Sequence, residues 1–157
     1  MTESGRPLHD MRLSFFIMPI YFLKAIREEY ASLCGEEGSA KVLFNCGFRC
    51  GKIMTKKMEI SGHEQIDLAE TLHALWIEVG LGRLSVEKID IESIKIMSED
   101  SSEAQANGEV GKKMCDMTCG FIAGIASEVT NKKYECFEEK CWSAGDDKCV
   151  YLLRPEG

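Results

Sequence analysis

At 157 residues and 45% hydrophobic content, the chain is sized for one domain with a core of its own. Its net charge of −7, with Lys and Arg scattered among Asp and Glu, lacks the basic footprint of a nucleic-acid binder and argues against direct contact with DNA. The longest apolar run, residues 15–22, falls far short of the ~20 residues of a membrane span, and the first ten residues lack a signal-like apolar stretch, so a soluble cytosolic protein is expected.

Residues 12–18 read as a short strand, and Pro19 suits the first turn of a helix running to about residue 33, with Gly35 and Gly38 marking its end. Ser39 is placed to cap a second helix through about residue 57, along which Leu43, Cys46, Gly47, Cys50 and Met54 recur at helical spacing. After Ser61 and Gly62, a third helix over residues 64–79 would bury Ala69, Leu72, Leu75, Trp76 and Val79. The period then changes to two. Leu84 and Val86, then Ile94 and Ile96, alternate with polar residues and predict two strands joined near Asp90. Residues 101–113 are polar and turn-rich. A fourth helix starts near Met114, with Cys115, Cys119, Ile122, Ala126 and Val129 on one stripe, and ends near Asn131. Residues 134–142 and 148–153 predict a hairpin around Ala144, Gly145, Asp146 and Asp147. The order of elements implies an α+β fold: N-terminal helices packed on an antiparallel sheet, followed by a C-terminal helix and hairpin.

Eight cysteines in a reducing compartment point to metal ligation, catalysis or burial rather than to disulfides. Glu138, Cys141 and Cys149 form E-x2-C-x7-C, and Cys115 lies upstream. Three thiols and a carboxylate are the number and kind of donors a tetrahedral zinc ion requires. Such an ion would clamp the fourth helix to the hairpin. Glu138 and Cys141 have opposite parity in an ideal strand, so both can face one metal only if the chain bulges between them. Cys119 and Cys136 lie close enough in sequence to replace a member of the set. The competing reading is that these cysteines are small buried hydrophobes.

Cys46 and Cys50 share a helix face and are read as core packing rather than a redox pair. Gly47 and Gly51, also four apart, suit the close approach of another helix, since residues 45–52 lack the P-loop pattern. His73 and Trp76 share the third helix. With Tyr21, Phe22 and several methionines on apolar faces, they would suit a cavity for a small aromatic or hydrocarbon ligand, although ordinary core packing accounts for them equally. His9 and His63 fall in expected loops, and no hydrolase constellation can be assembled.

Ser101-Ser102-Glu103-Ala104, Cys115, the run from Gly120 to Gly124, Glu138, Cys141 and Gly145-Asp146 followed by Cys149 together resemble the 4-vinyl reductase domain family. The pattern recurs in sensory domains of aromatic-compound-responsive bacterial activators, in a bacteriochlorophyll-biosynthesis protein and in stand-alone archaeal proteins. The specific part covers residues 80–152. The resemblance implies one domain over residues 1–157, an α+β body shared with TRAPP subunits and haem nitric-oxide sensors, and frequent dimerisation. It also implies zinc on Cys115, Glu138, Cys141 and Cys149, the positions matching three Cys and one Glu in the phenol-sensing relatives. In those relatives a histidine within L-H-x-L contacts the phenolic hydroxyl, and Leu72-His73-Ala74-Leu75 matches that stretch. Their added tryptophan has no counterpart, since Ile96 and Ser98 occupy the candidate positions, which argues against phenol itself as the ligand.

The expected function is a zinc-containing sensor or regulatory domain for a small hydrophobic or aromatic molecule, acting through a downstream protein and not catalytic at the metal. One alternative is a reductase or accessory factor for tetrapyrrole vinyl groups, although no nicotinamide or flavin signature accompanies it. A TRAPP-like scaffold subunit is the other.

Overall fold

Helix α1 (Tyr21–Lys57) is two arms joined at a break, where Cys34 leaves helical geometry (φ −138°) and Gly35 takes φ 78°, a left-handed value that only glycine reaches without a Cβ penalty. It belongs to a computed structural model that describes residues 14–57, 68, 69, 72, 73, 76, 81–89 and 93–157. The first arm is largely exposed except at Arg27. The second arm buries Ser39, Leu43, Gly47, Gly51 and Thr55, a stripe with a period of four. Ser39 Oγ donates to the Arg27 carbonyl at 2.9 Å and ties the two arms together.

Strands β1 (Leu84–Ile89), β2 (Ile94–Ser98), β3 (Tyr134–Lys140) and β4 (Cys149–Pro155) form an antiparallel sheet in the order β1-β2-β4-β3. Helix α2 (Ser102–Asn107) follows β2, and α3 (Asp116–Thr130) leads into β3. Ile122, Ala123, Ile125, Ala126 and Val129 of α3 are all buried, and they join Ile94, Ile96, Tyr151 and Leu153 of the sheet in one core. Asn131 ends α3 in the left-handed conformation that asparagine tolerates well.

Helix α3 also packs against the second arm of α1, and glycine sets the distance. A Cβ on Gly120 would strike the Phe44 carbonyl, one on Gly124 the Phe48 carbonyl, and one on Gly47 the Met117 carbonyl. At Gly51 the clash would be with Phe121 O at 2.6 Å. Backbone therefore meets backbone at all four positions, as the spacing of Gly47 and Gly51 suggested.

The N-terminus of α3 is held from outside. Its N-cap, Cys115, makes no side-chain capping bond. Instead, buried Glu103 of α2 accepts the Met117 N–H at Oε1 (2.9 Å), and at Oε2 it accepts the Thr118 N–H (2.8 Å) and hydroxyl (2.7 Å). From α1, Arg27 Nη2 reaches the Met114 carbonyl at 2.7 Å, Asp116 Oδ2 at 2.8 Å and Glu103 Oε1 at 3.4 Å. Burial raises the Glu103 carboxyl to about 7. Every group facing it is a donor, however, and that arrangement fits the carboxylate rather than the acid.

Several expectations are corrected. Ser39 is no N-cap but a buried residue inside the second arm, because the break falls earlier, at Cys34 and Gly35; Gly38 is likewise helical. Cys46 and Cys50 are exposed rather than core residues, since the buried stripe runs through Gly47 and Gly51 one position on. Tyr21 and Phe22 are exposed as well. Residues 14–18 form no strand, and residues 12 and 13 lie outside the described residues. The segment expected as a turn after β2 contains α2, which Ser101 starts by accepting the Ala104 N–H. Of the third helix, Leu68, Ala69, Leu72, His73 and Trp76 are helical; the rest lies outside the described residues, as does the connection near Asp90. Strand β3 stops at Lys140, and Trp142–Ala144 is a 3-10 turn.

Two outcomes are expected. Gly120→Ala should destabilise the protein by about 1–3 kcal/mol, because the overpacked helix pair must separate; urea denaturation will read this as a lower midpoint. Glu103→Ala should cost about 3–5 kcal/mol in the same measurement, since it leaves Arg27 and three buried donors without their acceptor.

Candidate metal centre

Four side chains from three segments converge at one end of the sheet. One ligand atom each from Cys115, Glu138, Cys141 and Cys149 lies within 4.8 Å of all the others, and the three cysteines are buried. Cys115 Sγ is 3.8 Å from Cys141 Sγ and 3.9 Å from Cys149 Sγ. Sulfurs bound to one tetrahedral zinc at about 2.3 Å would stand about 3.8 Å apart, so the observed separations fit a shared ion.

Each segment contributes by a distinct local device. Cys115 stands just before α3, and because Glu103 caps that helix its thiol is free to turn inward. Glu138 and Lys140 pair with Tyr151 and Val150, adjacent residues on β4, so the strand carries an extra residue between them. This bulge removes the parity conflict between Glu138 and Cys141. The chain then folds tightly: the Ala144 N–H donates to the Cys141 carbonyl (3.0 Å), the Cys141 N–H donates to Asp146 Oδ2 (2.9 Å), and Gly145 takes φ 106°. Asp146, expected simply as a turn residue, thus holds the Cys141 backbone in place. The turn delivers Cys149 at the start of β4, beside Cys141.

The donor chemistry also fits a cation. Glu138 Oε1 accepts the Cys115 N–H at 3.2 Å, while Oε2 is buried with no partner. Burial pushes the Glu138 carboxyl up to about 8. The Cys115 and Cys141 thiols direct their protons to Cys149, which is held below the ordinary thiol range; those contacts and burial push Cys115 up. A site packed with acidic groups that resist shared ionisation is one that a divalent cation would relieve.

Cys119 and Cys136, the alternative ligands, are both buried but stand outside the four-residue group and direct their thiols at one another. The structure does not gather His73 and Trp76 into this centre. His73 is exposed, with Nδ1 2.9 Å from the Leu84 carbonyl. Trp76 is fully buried, edge-on to Phe121 at 5.9 Å. Ile96 and Ser98 both face the core, and the Ser98 hydroxyl has no partner. Sequence reasoning assigned no role to Arg27, Ser101 or Glu103. The only signal was the Ser101–Ala104 motif, whose purpose depends on contacts more than ten residues away.

A pH dependence follows. With its folded pKa raised from 4.5 to about 8, Glu138 of the metal-free protein takes up a proton on folding. Its contribution is therefore fully present at low pH and lost as pH rises through about 8, while metal binding to deprotonated ligands strengthens over the same range. Thermal melts between about pH 5 and pH 8 should fall with chelator present and rise with metal bound.

Residues 94–155 match the model of the 4-vinyl reductase domain family. Among curated proteins, the chain is 30% identical over 104 residues to the uncharacterized protein MJ1642 of Methanocaldococcus jannaschii, covering 66% of this chain and 60% of that protein. It is 23% identical over 141 residues to MJ0150 of the same organism, covering 89% and 78%. The chain thus spans less than two thirds of MJ1642's length. Three solved structures share its fold. The phenol-responsive sensory domain of the transcription activator PoxR with phenol aligns at TM-score 0.78 and 23% identity, covering 90% of this chain and 76% of that one. A vinyl-4-reductase family protein from Methanocaldococcus jannaschii aligns at 0.66 and 19%, covering 95% and 88%. Trafficking protein particle complex subunit 3 from Naegleria fowleri, covalently bound to palmitic acid, aligns at 0.60 and 19%, covering 87% and 96%. The motif residues, the α+β architecture and the sequence match agree: over residues 94–155, this chain belongs to the 4-vinyl reductase domain family.

Proposed function

We propose that the chain folds as one domain over residues 1–157, holds a structural zinc ion and binds a small hydrophobic or aromatic molecule, passing its occupancy to a partner protein. The convergence of three thiols and a carboxylate at tetrahedral spacing carries the metal part of this reading. Sulfur donors favour zinc over the oxygen-seeking calcium and magnesium. Cys115, Glu138, Cys141 and Cys149 would fill every position around the ion. Zinc would then stitch the start of α3 to the β3–β4 ribbon, with no site left for an activated water, so we assign it no catalysis.

The ligand site is proposed around His73 and Trp76. The Leu84 carbonyl can only accept, so His73 carries its proton on Nδ1 and offers Nε2 as the acceptor for a ligand hydroxyl. The likeness to a phenol-responsive domain supports an aromatic ligand. Ile96 and Ser98, in place of a tryptophan, argue for a ligand other than phenol. We place the protein in the cytoplasm, as a homodimer that acts on a downstream protein; among the described residues, no helix is long and apolar enough to cross a membrane.

Native mass spectrometry and elemental analysis of unchelated protein should find one zinc per chain, and Cys141→Ser should lose it and melt at lower temperature. Protein that is folded and metal-free as isolated would overturn the zinc assignment. For the ligand, titration with substituted phenols and with unsubstituted arenes should favour the hydroxylated series, and His73→Ala should weaken that binding about tenfold, the equivalent of one good hydrogen bond. Equal binding by the variant would remove His73 from the site.

A further inference from the structure

Each of the three sulfurs in the centre faces one hydrogen-bond donor, and only one of these donors is a side chain. The Met114 N–H points at Cys141 Sγ at 3.5 Å, and the Trp142 N–H at Cys149 Sγ at 3.4 Å. Both are backbone groups fixed by the turns around the site. Cys115 Sγ faces Ser101 Oγ at 3.4 Å. That oxygen already accepts the Ala104 N–H at 3.3 Å as the N-cap of α2. A hydroxyl whose oxygen is engaged by a donor has its single proton left to give, and here the neighbouring acceptor is sulfur. Ser101 is 4% exposed and Cys115 fully buried, so the contact is sheltered from water.

Three thiolates and a carboxylate around a divalent cation carry excess negative charge, and donors to sulfur draw part of it away. Resting on the metal reading above, we propose that Ser101 is a positioning residue for the metal-bound Cys115 thiolate: its hydroxyl donates to the sulfur, fixes its direction and weakens its donor strength to match the other two. Ser101 would thereby do two jobs at once, starting α2 with its oxygen and restraining a metal ligand with its proton. The buried Tyr151 hydroxyl, which has no hydrogen-bond partner, is the rival donor for this sulfur.

Cobalt(II) loaded into the whole chain tests this, because its sulfur-to-metal charge-transfer bands report how electron-rich the thiolates are. If the wild-type protein takes up cobalt without such bands, the metal reading itself fails, whatever Ser101 does. Given those bands, Ser101→Ala should move them to lower energy and weaken cobalt binding about fivefold in competition with a chelator, the equivalent of one ordinary hydrogen bond. Ser101→Gly, which also lacks the hydroxyl but is a tolerated N-cap, should give the same shift, and Ser101→Thr should restore the wild-type spectrum and affinity. Spectra of the Ala and Gly variants that superimpose on the wild type, with only the melting temperature lowered, would reduce Ser101 to a helix cap. A shift in Tyr151→Phe but not in the Ser101 variants would assign the bond to tyrosine and overturn the proposal. Folded Ser101 variants that take up no cobalt would also count against it, because one hydrogen bond cannot account for losing the whole site.

Discussion

A single buried carboxylate organises the interior of this protein. Glu103 takes two backbone N–H groups and a hydroxyl at the start of α3, positions that an N-cap side chain would ordinarily serve. That substitution has a local consequence, since Cys115, the residue in the N-cap position, keeps its thiol free for another use. It also has a distant one: Arg27, from the first arm of α1, closes over the same helix end through Asp116, Met114 and Glu103. The carboxylate in turn lies at the positive end of the α3 dipole, where negative charge is favoured. Three segments far apart in sequence thus share one polar knot in an otherwise apolar interior.

The candidate metal centre is built beside that knot and borrows its rigidity. Cys115 is placed by the capped helix, Glu138 by a bulge in β3, Cys141 by the fold-back that Asp146 secures, and Cys149 by the first residue of β4. No two of these devices are alike, and each fixes one donor. On the opposite side of α3, the glycines of both helices bring the α1 backbone into contact with that of α3. Helix α3 is therefore held at its N-terminus by charge, along one side by close backbone packing, and along the other by the apolar face of the sheet. A ligand-sensing role fits this arrangement, because displacement of Trp76 would press on Phe121, a residue whose backbone takes part in the glycine contact.

Much of the fold was legible because the hydrophobic period changes plainly along the chain. Leu84, Val86, Ile94 and Ile96 alternate, and the stripe through Cys119, Ile122, Ala126 and Val129 identified α3, so the α+β class followed from local pattern. Gly47 and Gly51 were read as a close-approach surface, because small residues four apart leave few other uses for a helix face. The pattern misled where polar and small residues were the buried ones. Ser39 resembled a cap but lies inside a helix, satisfied by the Arg27 carbonyl, and Cys46 and Cys50 resembled core but sit one position off the glycine stripe. Helix α2 escaped notice because six residues make too short a period to register, and its stability comes from Glu103 binding a different helix.

Local chemistry alone dictated the choice of donors and the need for a bulge: three thiols and a carboxylate in the C-terminal part of the chain, and a parity conflict between Glu138 and Cys141 that only an inserted residue could resolve. Side-chain type and strand period are properties of a single segment, so both could be read from the order of residues. Which cysteines meet is a different matter, resolved by packing in three dimensions. Cys119 and Cys136 are as close in sequence as their neighbours, yet they turn toward one another. Cys115 reaches Cys141 and Cys149 because Glu103 and Arg27 hold the end of α3 against the hairpin. Such a meeting depends on contacts between residues tens of positions apart, and no pattern within a single segment records them.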